Sequence, residues 1–312
     1  MDAPLALPGD FSARPCVLAD APAVYELVAA NEAHDAGEVL IELEDIESEW
    51  ARPSFDLAGH TVAVIEDATR TLVGQGEMTM DTRADCCVHP AWRGKGIGTW
   101  LVGWTEDRAH SLGASRVGQT VVDTATDAIT LFERRGYTWL WTSWILGIDF
   151  ADTSLEPPTL PEGYSIRDFV PGEDDRRVHE VIDTAFLEWS DREPFPFEDW
   201  RAKTLSRAGC EPWLLPVVVG PEGTIEGAAY LIDAGEGNEG WVQELAVGRE
   251  HRGLGLGRAL LHESFARFQA RGRTGCGLNT DSRTGALGLY EHVGMSVKQS
   301  FTHRALQFDA ID

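Results

Sequence analysis

Several features are scarce in this chain, and each scarcity narrows what it can be. No stretch of its 312 residues approaches the roughly 18 consecutive apolar residues of a spanning helix, so no membrane partner is expected. The start, MDAPLALPGDFSARP, has neither a basic head nor a long apolar run. It does not read as a secretory signal, and the cytoplasm is the expected compartment. Cysteine is sparse and odd in number: Cys16, Cys86, Cys87, Cys210 and Cys276, with no CxxC pair. That suggests neither a disulfide framework nor a zinc site, and leaves small buried hydrophobes as the expected role. His179, His251, His262, His292 and His303 show no ligand spacing either, so no metal is expected. Basic residues are outnumbered, 26 against 51 acidic, for a formal charge of -25. Nucleic-acid affinity comes mainly from Lys and Arg neutralising phosphates, so a nucleic-acid partner is not expected. The balance is compatible with a cationic substrate. Any phosphate-bearing ligand must then be held by local geometry against an unfavourable overall field.

What is present is an ordinary globular composition, 43% hydrophobic and 25% charged, at a length expected to give about two domains. An internal repeat divides the chain. CCVHPAWRGKGIGTWLVG (86–103) matches LAVGREHRGLGLGRALLH (245–262), with Arg93 on Arg252; ITLFERRGY (129–137) matches LGLYEHVGM (287–295), with Phe132 on Tyr290 and Gly136 on Gly294. Arg252 follows Arg93 by 159 residues and Tyr290 follows Phe132 by 158, so two separated blocks keep their spacing to within one residue. Between the copies lies ADTSLEPPTLPEG (151–163), whose three prolines restrict their own φ and that of their predecessors. It reads as an extended linker, placing one domain at 1–154 and the other at 155–312.

The later copy has a clear outline. A strand is expected at Tyr164–Phe169, then a helix with Val178, Val181, Ile182 and Ala185 on one face. Strands follow at Leu214–Val219, Gly227–Ile232 and Trp241–Val247. After the glycine loop comes a helix with Leu260, Leu261, Phe265 and Phe268 at helical spacing. A strand near Gly275–Thr280, a helix around Gly285–His292 and a strand near Ser300–Phe308 complete it. The class is α/β (α+β in its mixed sheet): two tandem domains, each a mixed, mostly antiparallel sheet flanked by helices.

Strand, then Arg-Gly-x-Gly-x-Gly, then helix has a physical purpose. Alternate glycines let the backbone turn tightly and let a ligand approach the N–H groups unobstructed by Cβ. The first N–H groups of the following helix have no internal acceptor, and the helix dipole is positive there. Together they make a phosphate or pyrophosphate cradle. Local donors of this kind can outweigh the net charge, because salt screens distant charges over about 8–10 Å. The spacing is not the GxGxxG of dinucleotide folds, and neither loop continues into the Gly-Lys-Ser/Thr of a P-loop.

ELAVGREHRGLGLGRALL (244–261) resembles the acyl-CoA motif of the GNAT superfamily of N-acetyltransferases, and LGLYEHVGM resembles its second signature, a helix bearing Tyr near the thioester. The likeness covers both halves, from about residue 11 to about residue 308. The tandem layout and length are similar to those of the mycothiol synthases. The resemblance implies acetyl-CoA as cosubstrate, its pyrophosphate held by Arg252, Gly253, Leu254, Gly255, Leu256 and Gly257, mainly through backbone N–H groups. Leu245, Ala246 and Val247 would pair with the pantetheine arm. In the earlier copy the same positions are Arg93, Gly94, Lys95, Gly96, Ile97 and Gly98. The Asn usual ahead of the second signature has no clear match in this region, which reads NTDSRTGA (279–286).

Tyr290 is the candidate general acid for the CoA sulfur, and the earlier copy has Phe132 there, which cannot donate a proton. This places the chemistry in the later copy and makes the earlier one degenerate, retained to complete the fold or shape the acceptor groove. Glu244, eight residues before Arg252, is the candidate base; Asp85 is its counterpart. The segment AFLEWSDREPFPFEDW (185–200) is expected near the acceptor. Its Trp189, Phe195, Phe197 and Trp200 beside Glu188, Asp191, Glu193, Glu198 and Asp199 would suit a cationic amine, or would form a solvated acidic loop anchored by buried aromatics. The expected activity is acetyl transfer to the primary amine of a small molecule. The alternatives are a non-catalytic acyl-CoA-binding or regulatory protein and a protein N-acetyltransferase.

Overall fold

The computed structural model describes residues 6–79, 81–151, 159–188, 193–233 and 238–308. Residues 152–158 of the expected linker, and Trp189 and Asp191 of the expected acceptor segment, lie outside them. In chain order the elements are β1 (Phe11–Arg14), α1 (Ala21–Asp35), α2 (Leu43–Trp50), α3 (Leu57–His60), β2 (Thr61–Glu66), β3 (Leu72–Thr79) and β4 (Arg83–Val88). There follow α4 (Ile97–Ser111), β5 (Arg116–Val122), α5 (Thr126–Arg134), β6 (Thr138–Asp149), β7 (Ser165–Asp168), α6 (Asp175–Leu187) and α7 (Phe197–Trp200). The last are β8 (Pro216–Val219), β9 (Ile225–Asp233), β10 (Glu239–Val247), α8 (Leu256–Ala270), β11 (Gly275–Asp281), α9 (Leu287–His292) and β12 (Ser296–Gln307).

They form two compact units: Met1–Thr142 with Ser300–Asp312, and Ser143–Gln299. In the first, the strand order is β1-β2-β3-β4-β5 followed by the Ser300–Gln307 part of β12. Only β4 and β5 run parallel; the other pairs are antiparallel. In the second, the Ser143–Asp149 part of β6 is followed by β11-β10-β9-β8-β7, with β10 and β11 as the one parallel pair. Each unit is thus the mixed, mostly antiparallel sheet with flanking helices that the sequence predicts.

The units depart from the division at 1–154 and 155–312. Strand residues Phe301–Gln307 pair with Val122–Arg116 in the first unit, and Ser143–Asp149 pair with Asp281–Gly275 in the second. Each unit therefore closes its sheet with a strand from the other half of the chain. A strand pairs with whichever edge offers free N–H and C=O groups, and hydrophobic periodicity carries no information about which edge that is.

Local patterning explains most elements. All six residues of β2, Thr-Val-Ala-Val-Ile-Glu, are buried, as a β-branched strand paired on both sides by β1 and β3 requires. Helix α6 buries Val178, Val181, Ile182 and Ala185, the stripe its spacing predicts, and α8 buries Leu256, Leu260, Leu261, Phe265 and Phe268. Both pack into one core with β8, β9 and β10. Several boundaries move by one to four residues. Leu214 belongs to a 3₁₀ turn opened by Pro212, so β8 starts at Pro216. Gly285 has φ +66°, a left-handed turn that delays α9 to Leu287. The last strand begins at Ser296. Among the described residues no helix is long and apolar enough to cross a membrane.

Candidate active site

The site begins where two parallel strands part. In the second unit β10 pairs with β11 only over Glu239–Val242 against Gly275–Leu278. Beyond that point β10 continues to Val247 while β11 pairs on its other side with β6. Glu244–Val247 keep their pairing with β9, while among the described residues the pairing with β11 ends at Val242, and Val247 O accepts from Arg252 Nε (3.0 Å). The parting coincides with a bulge: Val242 faces Leu231 and Glu244 faces Tyr230, leaving Gln243 as the extra residue. A bulge bends its strand and re-aims the side chains after it. Glu244, Leu245 and Val247 are half-buried and Ala246 is buried.

Directly after β10 comes the loop. Gly253 and Gly255 have φ +77° and +82°, the left-handed region that L side chains rarely adopt, and a Cβ added at either would meet no protein atom within 4 Å. Among the described residues, none of the N–H groups from Gly253 to Arg258 donates to a backbone acceptor; the first to do so is Ala259, to Gly255 O at 3.0 Å. Six successive donors at the opening of the 15-residue helix α8 are thereby available to an anion. Gly257 serves packing instead. A Cβ there would lie 3.7–3.9 Å from Leu245, Leu289 and Val247, so the end of β10, the start of α8 and helix α9 converge on this residue.

Arg252 does something other than what its place in the motif suggests. Its Nε donates to Val247 O (3.0 Å), its Nη1 to Glu188 Oε2 (2.8 Å) and its Nη2 to Glu188 Oε1 (3.3 Å). The cradle is left to the backbone amides, while the arginine joins the loop to the strand end and to the residue that caps α6.

Helix α9 carries Tyr290, which is buried. Burial pushes its hydroxyl above the ordinary tyrosine value, and a hydrogen bond with the Thr280 side chain of β11 pulls the other way. The phenol therefore stays protonated across the neutral range, the state a proton donor needs.

The first unit repeats this arrangement with telling differences. Gly94 and Gly96 are left-handed (φ +76° and +86°), Trp100 N is the first helical donor to return to the loop, and a Cβ at Gly98 would lie 3.8 Å from Val88 and Leu131. Arg93 donates to Val88 O (3.4 Å) and to both oxygens of Asp35 (2.7 and 2.6 Å) at the end of α1. Ile97 is buried as the first residue of α4, and Lys95 lies over the Trp92 ring at 4.2 Å. Here β3 and β4 pair without interruption from Thr79–Arg83 to Gly74–Val88, so there is no bulge before the loop. Phe132 is buried beside Tyr137, with ring centroids 5.2 Å apart.

Three features escape a reading of motifs alone. The bulge at Gln243 is one. The acidic partners of the two arginines are another; they lie 58 and 64 residues upstream, at no fixed offset, and the available signal is an acidic residue ending the first helix of each copy. The third is Glu77 on β3, whose carboxylate accepts from the Trp50 indole N–H (2.9 Å) and from Gln75 (3.3 Å). Burial drives its carboxyl up to about 7 against the Trp50 hydrogen bond, with Glu49 and Asp85 adding to the rise.

In the segment expected at the acceptor, Phe195, Phe197 and Trp200 pack in or against the core and Asp199 is buried. Glu188 is bonded to Arg252 and Glu198 to Arg201 (3.0 Å). Among the described residues this favours the anchored-loop reading over a cage for a cation. Cys86 and Cys87 sit consecutively on β4, and burial drives the Cys86 thiol up to about 12 and the Cys87 thiol higher still, so neither is a ready thiolate.

A family model described as "Acetyltransferase (GNAT) family" matches residues 23–137 and 176–295, one match in each half of the chain. The chain belongs to the GNAT acetyltransferase family. This GNAT enzyme is 30% identical over 218 residues to a mycothiol acetyltransferase of Thermobispora bispora, an alignment covering 67% of this chain and 70% of the relative. A solved GCN5-related N-acetyltransferase from Sphaerobacter thermophilus is 32% identical, with a TM-score of 0.75 over 98% of this chain and 99% of that one. A tandem GNAT protein from the clavulanic acid biosynthesis pathway shares the fold at 15% identity, with a TM-score of 0.72 over 97% of this chain and 100% of its own. The two family matches and the tandem neighbour agree with the duplication read from the sequence.

Proposed function

We propose that this GNAT acetyltransferase moves an acetyl group from acetyl-CoA to the primary amine of a small molecule by direct transfer, with the chemistry in the second unit. The observation that carries the reading is Tyr290: a buried phenol held protonated on α9, at the position where the first unit has Phe132. The bulge before the loop, found only in the second unit among the described residues, supports the same choice. The relatives named mycothiol acetyltransferase support a small-molecule acceptor.

The residues fit such a cosubstrate. The free amides of Gly253–Arg258 suit a pyrophosphate, and the stretch Leu245–Val247 of β10, beyond the end of its pairing with β11, suits the amide groups of a pantetheine arm. Acetyl-CoA supplies an activated acyl carbon when bound. Glu244, directly after the bulge, takes the proton that an alkylammonium must lose before its nitrogen can attack. Tyr290 O–H gives its proton to the departing thiolate. Arg93, Gly94, Lys95, Gly96, Ile97 and Gly98 keep the same backbone turn in the first unit, with Pro8 3.4 Å from where a Cβ of Gly96 would stand, so CoA binding there is part of the proposal while catalysis is not.

The test is thiol release from acetyl-CoA across a panel of small amines, peptides with free N-termini and lysine peptides. Turnover with a small amine is expected, and Tyr290→Phe should lower kcat by about 100-fold with little change in KM for acetyl-CoA. Unchanged turnover in that variant removes the acid role. Turnover with peptides alone favours the protein acetyltransferase reading, and none with any amine favours a binding module.

A further inference from the structure

The two signature arginines are held in the same way in units whose sequences agree at little beyond the motifs. In each, Nε donates to the carbonyl five residues earlier, at the end of the strand, and both Nη atoms donate to a carboxylate at the end of the first helix. An arginine whose three nitrogens all have acceptors inside the protein has its forked donor face already used. Glu188, the partner in the second unit, is the C-cap residue of α6 and lies within the segment expected at the acceptor. A cavity of about 130 Å³ lies between α6 and the turn before the loop, bordered by Glu188, Arg252, Gly248, Arg249, Val181 and Thr184. The Arg252–Glu188 pair is one tether across that space; Arg177 of α6, which reaches Glu226 (3.2 Å) beside His251 of the turn (3.3 Å), is another.

Resting on the reading of the loop as a CoA cradle, we infer that Arg252 and Glu188 form a positioning clamp: the arginine does not bind phosphate but fixes the loop amides to the helix that begins the acceptor side. The clamp sets the spacing of the donors relative to β10, and its loss lets the loop depart from the conformation that presents them together. The pair is partly exposed (30% and 29%), so its effect is moderate.

The two possible roles of Arg252 predict opposite signs for one substitution. If it were a phosphate ligand restrained by Glu188, Glu188→Gln would free a cation and tighten CoA. As a clamp, Glu188→Gln should weaken CoA about fivefold and raise KM for acetyl-CoA similarly, with kcat within about twofold. Arg252→Gln should do the same, the double variant should be no weaker than Arg252→Gln alone, and Glu188→Asp should retain most of the affinity. Calorimetry with CoA, alongside melting temperatures, reads all four. Equal or tighter binding in Glu188→Gln, or additive losses in the double variant, overturns the clamp. A parent protein that binds no CoA instead overturns the cradle reading and the clamp with it. Should Glu188→Gln fail to fold, Arg252→Lys keeps the charge but cannot make the fork. Weaker CoA at an unchanged melting temperature then supports the clamp, and equal affinity overturns it.

Discussion

At Gly255 the backbone has φ +82°, and a side chain there would project where no protein atom lies within 4 Å. Gly255→Val therefore acts twice. It strains a left-handed residue and stands a branched group in front of donors that an anion must reach. CoA affinity is expected to fall by at least about tenfold, whereas calorimetry giving equal affinity would remove the loop from the site. Glu77 makes a different residue-scale prediction. Its folded pKa lies near 7 because of burial, above the ordinary carboxyl value. Below the ordinary value the proton is bound folded or unfolded and burial carries no penalty. As pH rises through the interval up to about 7, the unfolded chain gives up the proton first and stability falls. Glu77→Gln should flatten that decline and raise stability at pH 8 by on the order of 2 kcal/mol, seen as a melting temperature nearly constant from pH 5 to pH 8. A parent whose melting temperature does not fall across that window would show that Glu77 ionises normally.

At the scale of elements, helices were more legible in the sequence than strand partners, for a physical reason. The burial stripe of α6 lies wholly within one helix and needs only the 3.6-residue period, so Val178, Val181, Ile182 and Ala185 emerge from spacing alone. The glycine loop is legible for a similar reason, since positive φ and the opening of a helix are local properties. The bulge at Gln243 is not local. It is a mismatch between β10 and β9, and nothing in Trp241–Val247 read singly distinguishes it from the unbulged β4. The same limit hid the partners of Arg93 and Arg252. A guanidinium takes whichever carboxylate the fold delivers, and Asp35 and Glu188 arrive on helices whose lengths differ between the copies. Glu244 could be named from its distance to the loop, but its position directly after the bulge is a property of the pairing.

At the scale of the molecule, the duplication was visible because two motifs keep their spacing, yet the repeat unit in sequence does not coincide with the compact unit of the structure. Leu146, Ile148 and Phe150 precede the linker but are buried in the core of the second unit, and Ala305, near the end of the chain, is buried on the strand that pairs with β5 of the first. Fully burying residues of this size is worth about 1.5–3 kcal/mol each, so removing Leu146, Ile148 and Phe150 together takes away an amount comparable to the roughly 5–15 kcal/mol that stabilises a whole domain. A chain of residues 155–312 would lack all three and leave the β11 edge, Gly275–Asp281, unpaired. One of residues 1–154 would leave the β5 edge, Arg116–Val122, unpaired. Unpaired edges also recruit other chains. Each half expressed alone is therefore expected to aggregate or to lack a cooperative thermal transition by circular dichroism, and co-expression of the two should restore it. Residues 1–142 joined by a short flexible linker to 300–308 should regain a cooperative transition where 1–154 has none, because the added segment supplies the strand that the sheet is missing. If residues 1–154 melt cooperatively by themselves, the exchange of strands is dispensable, and the linker rather than the pairing marks the boundary of the folding unit.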